Sequence, residues 1–200
     1  MIMKKIPSGY RQLLKSKKKI LIIGSNSSLA KEVEKLFKRE EINLKKISKK
    51  KINFYKNYKS SKLNAILNKF EPDIILNFIG KFSLNKNASK ELLIVNVLPT
   101  WELIKYYINK KLKSNVNLIV LGSSAYKSPR KKYMMYSASK LALNRLVKSA
   151  EELFVGTKFK IKIFNPGTFG GKHMNGFKKK QTDNIYSTAR KIYKYINKLK

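Results

Sequence analysis

The chain has 200 residues, no cysteine, and 46 lysines and arginines against 11 aspartates and glutamates, a formal net charge of +35. Without cysteine it has neither disulfides nor thiolate metal sites, and no run of about 18 apolar residues provides a membrane span. The hydrophobic fraction of 42% is ordinary for a folded protein. We therefore expect one cytoplasmic domain built around one core.

The positive charge attracts polyanions in general. The lysines are nevertheless spread over nearly every segment, and they accompany abundant asparagine and isoleucine, as A+T-rich coding would produce. We interpret most of them as solvated surface and expect no specific nucleic-acid partner, with a nucleic-acid-binding α/β protein as an alternative. Residues 1–18 are predicted to form a basic N-terminal extension, followed by a domain over residues 19–200.

From Lys19 onward, short apolar runs rich in β-branched residues alternate with longer segments of helical period. This alternation predicts an α/β fold: a single doubly wound domain whose mostly parallel sheet carries helices on both faces. The predicted strands are Ile20–Ile23, Ile42–Ile47, Asp73–Phe78, Val116–Leu121 and Lys160–Phe164. The predicted helices are Leu29–Arg39, Lys62–Phe70, Leu92–Lys110, Tyr133–Leu153 and Ile185–Leu199.

One segment does not fit this alternation. Ile52–Tyr55 resembles a strand, yet only Ser48–Lys51 separates it from the strand before it, and parallel neighbours need a crossover of a dozen or more residues. We interpret Ile52–Tyr55 as either an edge segment or an extended lead-in that passes over a ligand.

The first predicted strand ends in the polar turn Gly24-Ser25-Asn26-Ser27-Ser28-Leu29-Ala30, directly before a helix. In a doubly wound fold this turn binds a pyrophosphate through free backbone N–H groups and the positive end of the helix dipole. We therefore predict cofactor contacts at Gly24, Ser25, Ser27, Ser28 and Leu29. A plain helix N-cap made by Ser27 or Ser28 explains the turn about as well.

Two further strand ends point to the same crevice. Asn77 and Gly80 follow a buried strand and place polar backbone at the carboxyl edge of the sheet, where such folds bind ligands. The second strand runs into Ser48 and Lys49 with no acidic residue. A basic residue at this position accommodates a ribose 2′-phosphate, so NADP(H) is favoured over NAD(H).

The strongest candidate for catalysis is Tyr136-Ser137-Ala138-Ser139-Lys140. The four-residue spacing places Tyr136 and Lys140 on one face of a helix, where the ammonium is expected to lower the pKa of the phenol. Upstream, a strand runs into Gly122-Ser123-Ser124, whose hydroxyl can donate a hydrogen bond to a substrate oxygen. Asn165-Pro166-Gly167-Thr168 follows the next strand at the same edge.

In this order the motifs resemble those of the short-chain dehydrogenases/reductases. The turn at Gly24 is similar to the family's glycine-rich turn, Asn77-Phe78-Ile79-Gly80 to its Asn-Asn-Ala-Gly, and Pro166-Gly167 to its Pro-Gly. The resemblance implies a Rossmann-type fold, hydride transfer with a nicotinamide cofactor, and a small carbonyl or alcohol substrate. It further implies that Tyr136 is the general acid/base and that Ser124 polarises the carbonyl.

By the same resemblance, Lys140 binds the nicotinamide ribose and depresses the tyrosine pKa, and Asn96 holds a water in a proton relay. The cofactor would also contact Tyr136, Pro166, Gly167 and Thr168. Ser123 is an alternative to Ser124, because the loop that leads to the tyrosine is one residue short. A weakly active or inactive regulatory protein that binds NAD(P) is an alternative function.

We expect a short C-terminal substrate segment and no metal site at the lone His173. The resemblance also implies a homodimer that pairs through Leu92–Lys110 and Tyr133–Leu153.

Overall fold

The computed structural model describes residues 17–38, 40–56, 59–83, 89–128, 131–169 and 182–199. Within these residues, five parallel strands form one sheet in the order β2-β1-β3-β4-β5. The strands are β1 (Lys18–Ile23), β2 (Ile42–Ile47), β3 (Ile74–Asn77), β4 (Val116–Leu121) and β5 (Phe159–Phe164). The predicted strands are confirmed to within two residues at either end.

Five helices cover the two faces of this sheet. They are α1 (Ser28–Phe37), α2 (Ser60–Phe70), α3 (Ser89–Ile108), α4 (Met134–Leu153) and α5 (Ile185–Lys198). One hydrophobic cluster joins α2, α3 and α4 to one face, and a second joins α1 and α5 to the other. Because side chains alternate along a strand, Leu21 and Ile23 enter the first cluster and Ile20 and Ile22 the second. The doubly wound α/β class is confirmed.

This strand order determines where a ligand can bind. The chain moves outward from β1 to β2 and then crosses back to β3 on the other side of β1. The loops after β1 and β3 therefore diverge to opposite faces and leave a crevice at the carboxyl edge of the sheet.

The segment Ile52–Tyr55 forms no strand. It is an irregular stretch in which Ile52 and Phe54 are buried against the sheet. The missing crossover explains this outcome, since four intervening residues are too few to carry the chain to a parallel neighbour of β2. The alternation of apolar and polar residues therefore reflects which side chains of this segment are buried, although the segment is not a strand.

Two predicted regions lie mostly outside the described residues. Only Lys17 and Lys18 of the basic extension are described, and Lys18 is the first residue of β1. The C-terminal substrate segment is described at its two ends, where Thr168–Phe169 (β6) and Thr182–Asp183 (β7) pair in parallel. His173 lies outside the described residues.

Candidate active site

A crevice of about 370 Å³ opens at the point where the chain reverses between β1 and β3. Its wall includes five residues of the predicted cofactor set, namely Gly24, Ser27, Ser48, Lys49 and Gly80. The rest of the wall consists of Ile23, Asn26, Ile47, Ile52, Asn53, Phe54, Phe78, Ile79, Lys81, Glu91 and Val95. Three strand ends that the sequence marked separately thus meet at one cavity.

Gly24 is at the closest approach between the two sides of this crevice. Its φ of +82° lies in the left-handed region, and a Cβ at this position would be 2.8 Å from the carbonyl carbon of Phe78. The Gly24 and Ser25 amides both donate to the Ile47 carbonyl, at 2.9 and 3.2 Å. These two amides therefore fix the turn to β2.

The start of α1 supplies the free donors of the turn. Ser27 is the N-cap, and its Oγ accepts from the Ala30 amide at 3.1 Å. The first amides of a helix have no acceptor within it, so Ser28 and Leu29 present N–H groups at the positive end of the helix dipole. The two interpretations of this turn, helix cap and anion site, are compatible because they use different amides.

The opposite wall is held in place by Asn77, which is 2% exposed. Its Nδ2 donates to the Thr100 hydroxyl at 3.0 Å, and its Oδ1 accepts from the Ile79 amide at 3.2 Å. Asn77 therefore supports the turn from behind, while Gly80 lines the cavity. A Cβ on Gly80 would lie 3.3 Å from the Lys140 Nζ, so Gly80 lies between the crevice and α4.

The Ser123 side chain lies close enough to the Tyr136 hydroxyl to affect its pKa. Burial raises the pKa of Tyr136, the Ser123 side chain opposes that rise, and the nearby Tyr133 adds to it. Lys140 is not among the causes of this shift, so a lowering of the Tyr136 pKa by Lys140 stays a prediction. The Lys140 ammonium lies over the ring, 5.8 Å from its centroid.

Lys140 is fully buried, and burial lowers its pKa to about 8. Its Nζ donates to the Leu121 carbonyl at 3.3 Å, at the end of β4. A charged ammonium in this position is costly because no carboxylate is bonded to it among the described residues.

The lowered pKa of Lys140 predicts a particular dependence of stability on pH. Between the folded pKa of about 8 and the ordinary value of 10.5, the unfolded chain binds the extra proton, so stability rises with pH. We expect Lys140 to add on the order of 2 kcal/mol to the free energy of unfolding between pH 8 and pH 10, at about 1.4 kcal/mol per pH unit.

Urea unfolding of the wild type and Lys140→Met from pH 7 to pH 10 measures this contribution. The Met variant should lack the rise and be at least as stable as the wild type at pH 7. Lys132→Met, at an exposed position, should follow the wild-type curve. Parallel curves for wild type and Lys140→Met would contradict the buried charge.

Asn96 links Lys81, the residue after Gly80, to α4. Its Oδ1 accepts from the Lys81 amide at 2.7 Å, and its Nδ2 donates to the Lys81 carbonyl at 3.1 Å and to the Ser139 hydroxyl at 2.8 Å. Ser139 in turn donates to the Tyr136 carbonyl at 2.8 Å. Both amide protons of Asn96 are thus used within the protein, and a relay water at Asn96 stays a prediction.

A different acceptor is available in the same helix. Pro99 lies inside α3 and has no N–H, so the carbonyl of Val95, four residues earlier, receives no helix hydrogen bond from it. Val95 lines the crevice. This carbonyl is therefore a candidate acceptor for a water or ligand, one that the sequence reading did not mark.

The remaining predicted residues lie at the β4 and β5 ends. The Ser124 amide donates to the Pro166 carbonyl at 2.7 Å, and the Asn165 Oδ1 accepts from the Ser123 amide at 3.1 Å. Pro166 is buried, while the backbone of Thr168 belongs to β6. Pro166, Gly167 and Thr168 do not line the crevice; Pro166 supports the serine turn.

Aromatic side chains surround Tyr136. The Phe82 and Tyr136 ring centroids are 5.0 Å apart in an edge-to-face arrangement, and Tyr133 is 6.1 Å from Tyr136. Sequence reasoning missed Phe82, although its position two residues beyond Gly80 placed it near the crevice. It also missed Lys81 and Glu91, which form an ion pair at the crevice wall.

A parallel sheet with a crevice at its switch point, and a tyrosine and lysine one helical turn apart beside it, define a dinucleotide-type α/β protein. The chain belongs to the short chain dehydrogenase family, whose model matches residues 11–183. The resemblance found in the sequence is confirmed.

Solved structures of the same fold include several members of this family. A short chain dehydrogenase from Burkholderia cenocepacia, in complex with NADP, is 11% identical with a TM-score of 0.74, covering 90% of this chain and 84% of that one. A Tyr-to-Phe variant of ElxO with NADPH bound is 19% identical with a TM-score of 0.75, covering 92% of both. A short-chain dehydrogenase/reductase from Vibrio parahaemolyticus is 17% identical with a TM-score of 0.69, covering 88% and 89%. No curated protein matches the sequence.

In the described parts of the chain, no helix has the length and apolar character that crossing a membrane requires.

Proposed function

We propose that the protein is an NAD(P)(H)-dependent oxidoreductase that transfers hydride between the nicotinamide and a small carbonyl or alcohol, with Tyr136 as general acid/base. The observation that carries this proposal is the position of the buried Lys140 between the Tyr136 ring, the end of β4 and Gly80 of the crevice, with Ser123 beside the tyrosine. The family supports an oxidoreductase, and two relatives of the same fold carry NADP or NADPH.

The described residues fit a dinucleotide. Gly24 lines the crevice and lets the turn after β1 approach the Phe78–Ile79 backbone closely, and Ser27, Ser28 and Leu29 place the start of a helix beside it. When bound, the nicotinamide supplies or accepts the hydride. The Nζ of Lys140 lies beside Gly80 and would bind the ribose hydroxyls next to the nicotinamide.

In this proposal Tyr136 donates the proton and Ser123 polarises the substrate carbonyl. A phenol whose pKa is raised by burial stays protonated at neutral pH and is ready to donate its proton to a developing alkoxide, which favours carbonyl reduction. We assign Ser123 as the serine that polarises the carbonyl, because its side chain affects the pKa of Tyr136, whereas Ser124 is not among the groups that do so. Asn96 positions Tyr136 through Ser139.

The cofactor preference is tested by titration with NADPH and NADH, following cofactor fluorescence. Lys49 is exposed and lines the crevice at the end of β2, where a 2′-phosphate is expected. We expect saturable NADPH binding, weakened about tenfold in Lys49→Gln by loss of a charge-assisted bond, with NADH binding unchanged. Lys132→Gln is the matched control for the charge removed.

Two outcomes would count against this assignment. No saturable binding of either cofactor would overturn the oxidoreductase proposal itself. Equal weakening of NADPH and NADH binding in Lys49→Gln would leave the cofactor site in place but remove Lys49 from the 2′-phosphate.

The second candidate function is a regulatory protein that binds NAD(P) without turnover. It is favoured by the Gly24 and Ser25 amides, which are both committed to Ile47 and therefore unavailable to a pyrophosphate. NADPH binding without cofactor-dependent turnover of any carbonyl would support it.

We further infer a homodimer through α3 and α4. Three apolar residues on α3, namely Leu93, Trp101 and Ile108, are about 40% exposed and lie seven or eight positions apart, on one face of the helix. Leu141 of the adjoining α4 is also exposed, which extends this apolar surface.

A further inference from the structure

A second cavity, of about 700 Å³, adjoins the crevice near the carboxyl end of β2. We call it the lysine cavity, after its lining of Lys49, Lys50, Lys51, Ile52, Asn53, Lys56, Lys59, Ser61 and Lys62. Six of these nine residues are lysines, whereas lysine and arginine together make up 46 of the 200 residues of the chain. The concentration of positive charge therefore exceeds what the overall composition explains.

The first part of the loop that carries these lysines, residues 48–56, is held by local hydrogen bonds. The Lys51 and Ile52 amides donate to the Ser48 carbonyl at 3.0 and 3.1 Å. Asn53 Oδ1 accepts from the Tyr55 and Lys56 amides at 3.0 and 3.1 Å. Buried Ile52 and Phe54 anchor this part to the core, so less of its backbone has to be ordered when a ligand binds.

No ion pair of these six lysines is found among the described side chains. None of the ion pairs between described residues includes any of them, and the sequence places every aspartate and glutamate within the described ranges. Elsewhere the protein does pair its lysines, as Lys35 with Glu32 and Lys46 with Glu34. The lysine cavity thus contains several positive charges that repel one another, and an anion bound from solution would neutralise them.

Helix α2 adds to the same potential. Its N-cap, Lys59, makes no side-chain capping bond, and its first turn contains no acidic residue. Ser61 and Lys62 of that turn line the cavity, so the positive end of the helix dipole faces the lysines. The helix dipole thus adds to the positive potential that the six lysines already create in the cavity.

We propose that the lysine cavity is a second ligand site, which binds a small polyphosphorylated molecule of about nucleotide size, separate from the cofactor in the crevice. The volume lies within the range of small-molecule sites, about 300–1,000 Å³. A nucleic acid needs a basic groove that continues along its backbone, whereas these six lysines line a single depression, which suits a short polyanion better.

The two cavities are coupled through their shared wall. Lys49, Ile52 and Asn53 line both of them, and Lys49 is the residue assigned to the cofactor 2′-phosphate, so this step rests on the proposed function. A polyphosphate that engages Lys49 weakens NADPH binding and leaves NADH binding unaffected. Because linkage is reciprocal, NADPH weakens the polyphosphate by the same factor.

Isothermal titration of the ligand-free protein with sodium tripolyphosphate, at about 150 mM salt to screen surface charges, tests the site directly. We expect saturable one-to-one binding, weakened about tenfold or more in the triple variant Lys56→Gln, Lys59→Gln, Lys62→Gln. These three lysines line only the lysine cavity. The control removes the same charge from exposed positions at the opposite edge of the sheet, Lys111→Gln, Lys113→Gln, Lys160→Gln, and should bind within about twofold of wild type.

Equal losses in the two triple variants, or no saturation in the wild type, would overturn the site by showing nonspecific charge attraction. A short oligonucleotide that binds more tightly than tripolyphosphate through the same three lysines would overturn the small-molecule assignment and point to nucleic acid. Since this experiment uses no cofactor, its result is independent of whether NADPH binds.

The coupling has a separate test. Saturating tripolyphosphate should weaken NADPH binding about fivefold or more and change NADH binding by less than about twofold. An equal effect on both cofactors, or no effect on either, would overturn the coupling. Failure of both cofactors to bind in the absence of tripolyphosphate would instead count against the proposed function.

Discussion

The Tyr136→Phe variant is expected to lose about 10²- to 10⁴-fold in turnover while it keeps its fold and its affinity for NADPH. The substitution removes only the phenolic hydroxyl, which lies beside Ser123, and leaves the ring packed against Phe82. Without that hydroxyl no proton reaches the developing alkoxide. NADPH oxidation with a panel of small ketones and aldehydes measures the loss.

Tyr133→Phe is the matched control, because Tyr133 belongs to the same aromatic group and has no proposed role in proton transfer. It should retain turnover within about threefold of wild type, a change too small for the loss of a general acid. Unchanged turnover in Tyr136→Phe would rule out Tyr136 as the general acid. An equal loss in both variants would show that packing of the aromatic group, and not the Tyr136 proton, limits the reaction.

The same assay distinguishes the two serines. Ser123→Ala removes a hydroxyl that lies beside Tyr136, and loss of such a donor typically costs about 10²- to 10³-fold. Ser124→Ala should stay near wild type, because Ser124 is not among the groups that affect the pKa of Tyr136. The opposite ranking would assign the carbonyl contact to Ser124.

Gly24→Ala is expected to abolish cofactor binding and to destabilise the protein. A left-handed conformation costs a residue with a Cβ about 1–2 kcal/mol. At position 24 the new Cβ would also meet the Phe78 carbonyl carbon at 2.8 Å and the Ile79 amide nitrogen at 2.9 Å. Both neighbours are backbone of the crevice wall, so relief of the contact must separate β1 from the turn after β3.

Gly156→Ala provides the control, since Gly156 also has a positive φ, of +77°, but no atom lies within 4 Å of the added Cβ. We expect it to lose only the conformational term of about 1–2 kcal/mol and to bind NADPH normally. Urea unfolding and NADPH titration of both variants separate strain from steric contact. Equal losses of stability with intact NADPH binding in both would contradict the close approach at Gly24.

The sequence predicted most of the architecture because its signals are local. Runs such as Lys18–Ile23 combine β-branched residues with burial on both faces, and α1 repeats its buried positions at helical spacing. Those patterns depend on neighbours within one element, so periodicity alone placed all five strands of the main sheet and all five helices. The order of the motifs, from Gly24 to Tyr136 and Lys140, also sufficed to indicate the family.

Contacts between distant segments could not be predicted from such local patterns. The choice between Ser123 and Ser124 depends on how the β4 turn meets α4, and the pKa of Tyr136 depends on burial by Phe82 and Tyr133. The expectation that Lys140 lowers this pKa rests on the helical spacing, and spacing does not reveal that the ammonium lies over the ring and is itself desolvated.

The sequence by itself thus determined the element types, the motif order and the residue chemistry of this protein, because hydrophobic period and residue type are properties of the chain. Only the tertiary structure decided that Ile52–Tyr55 packs without forming a strand, that Gly24 meets Phe78, and that six lysines converge on one cavity. Each of these depends on distances between segments, which are set when the β-strands align and their loops share one edge.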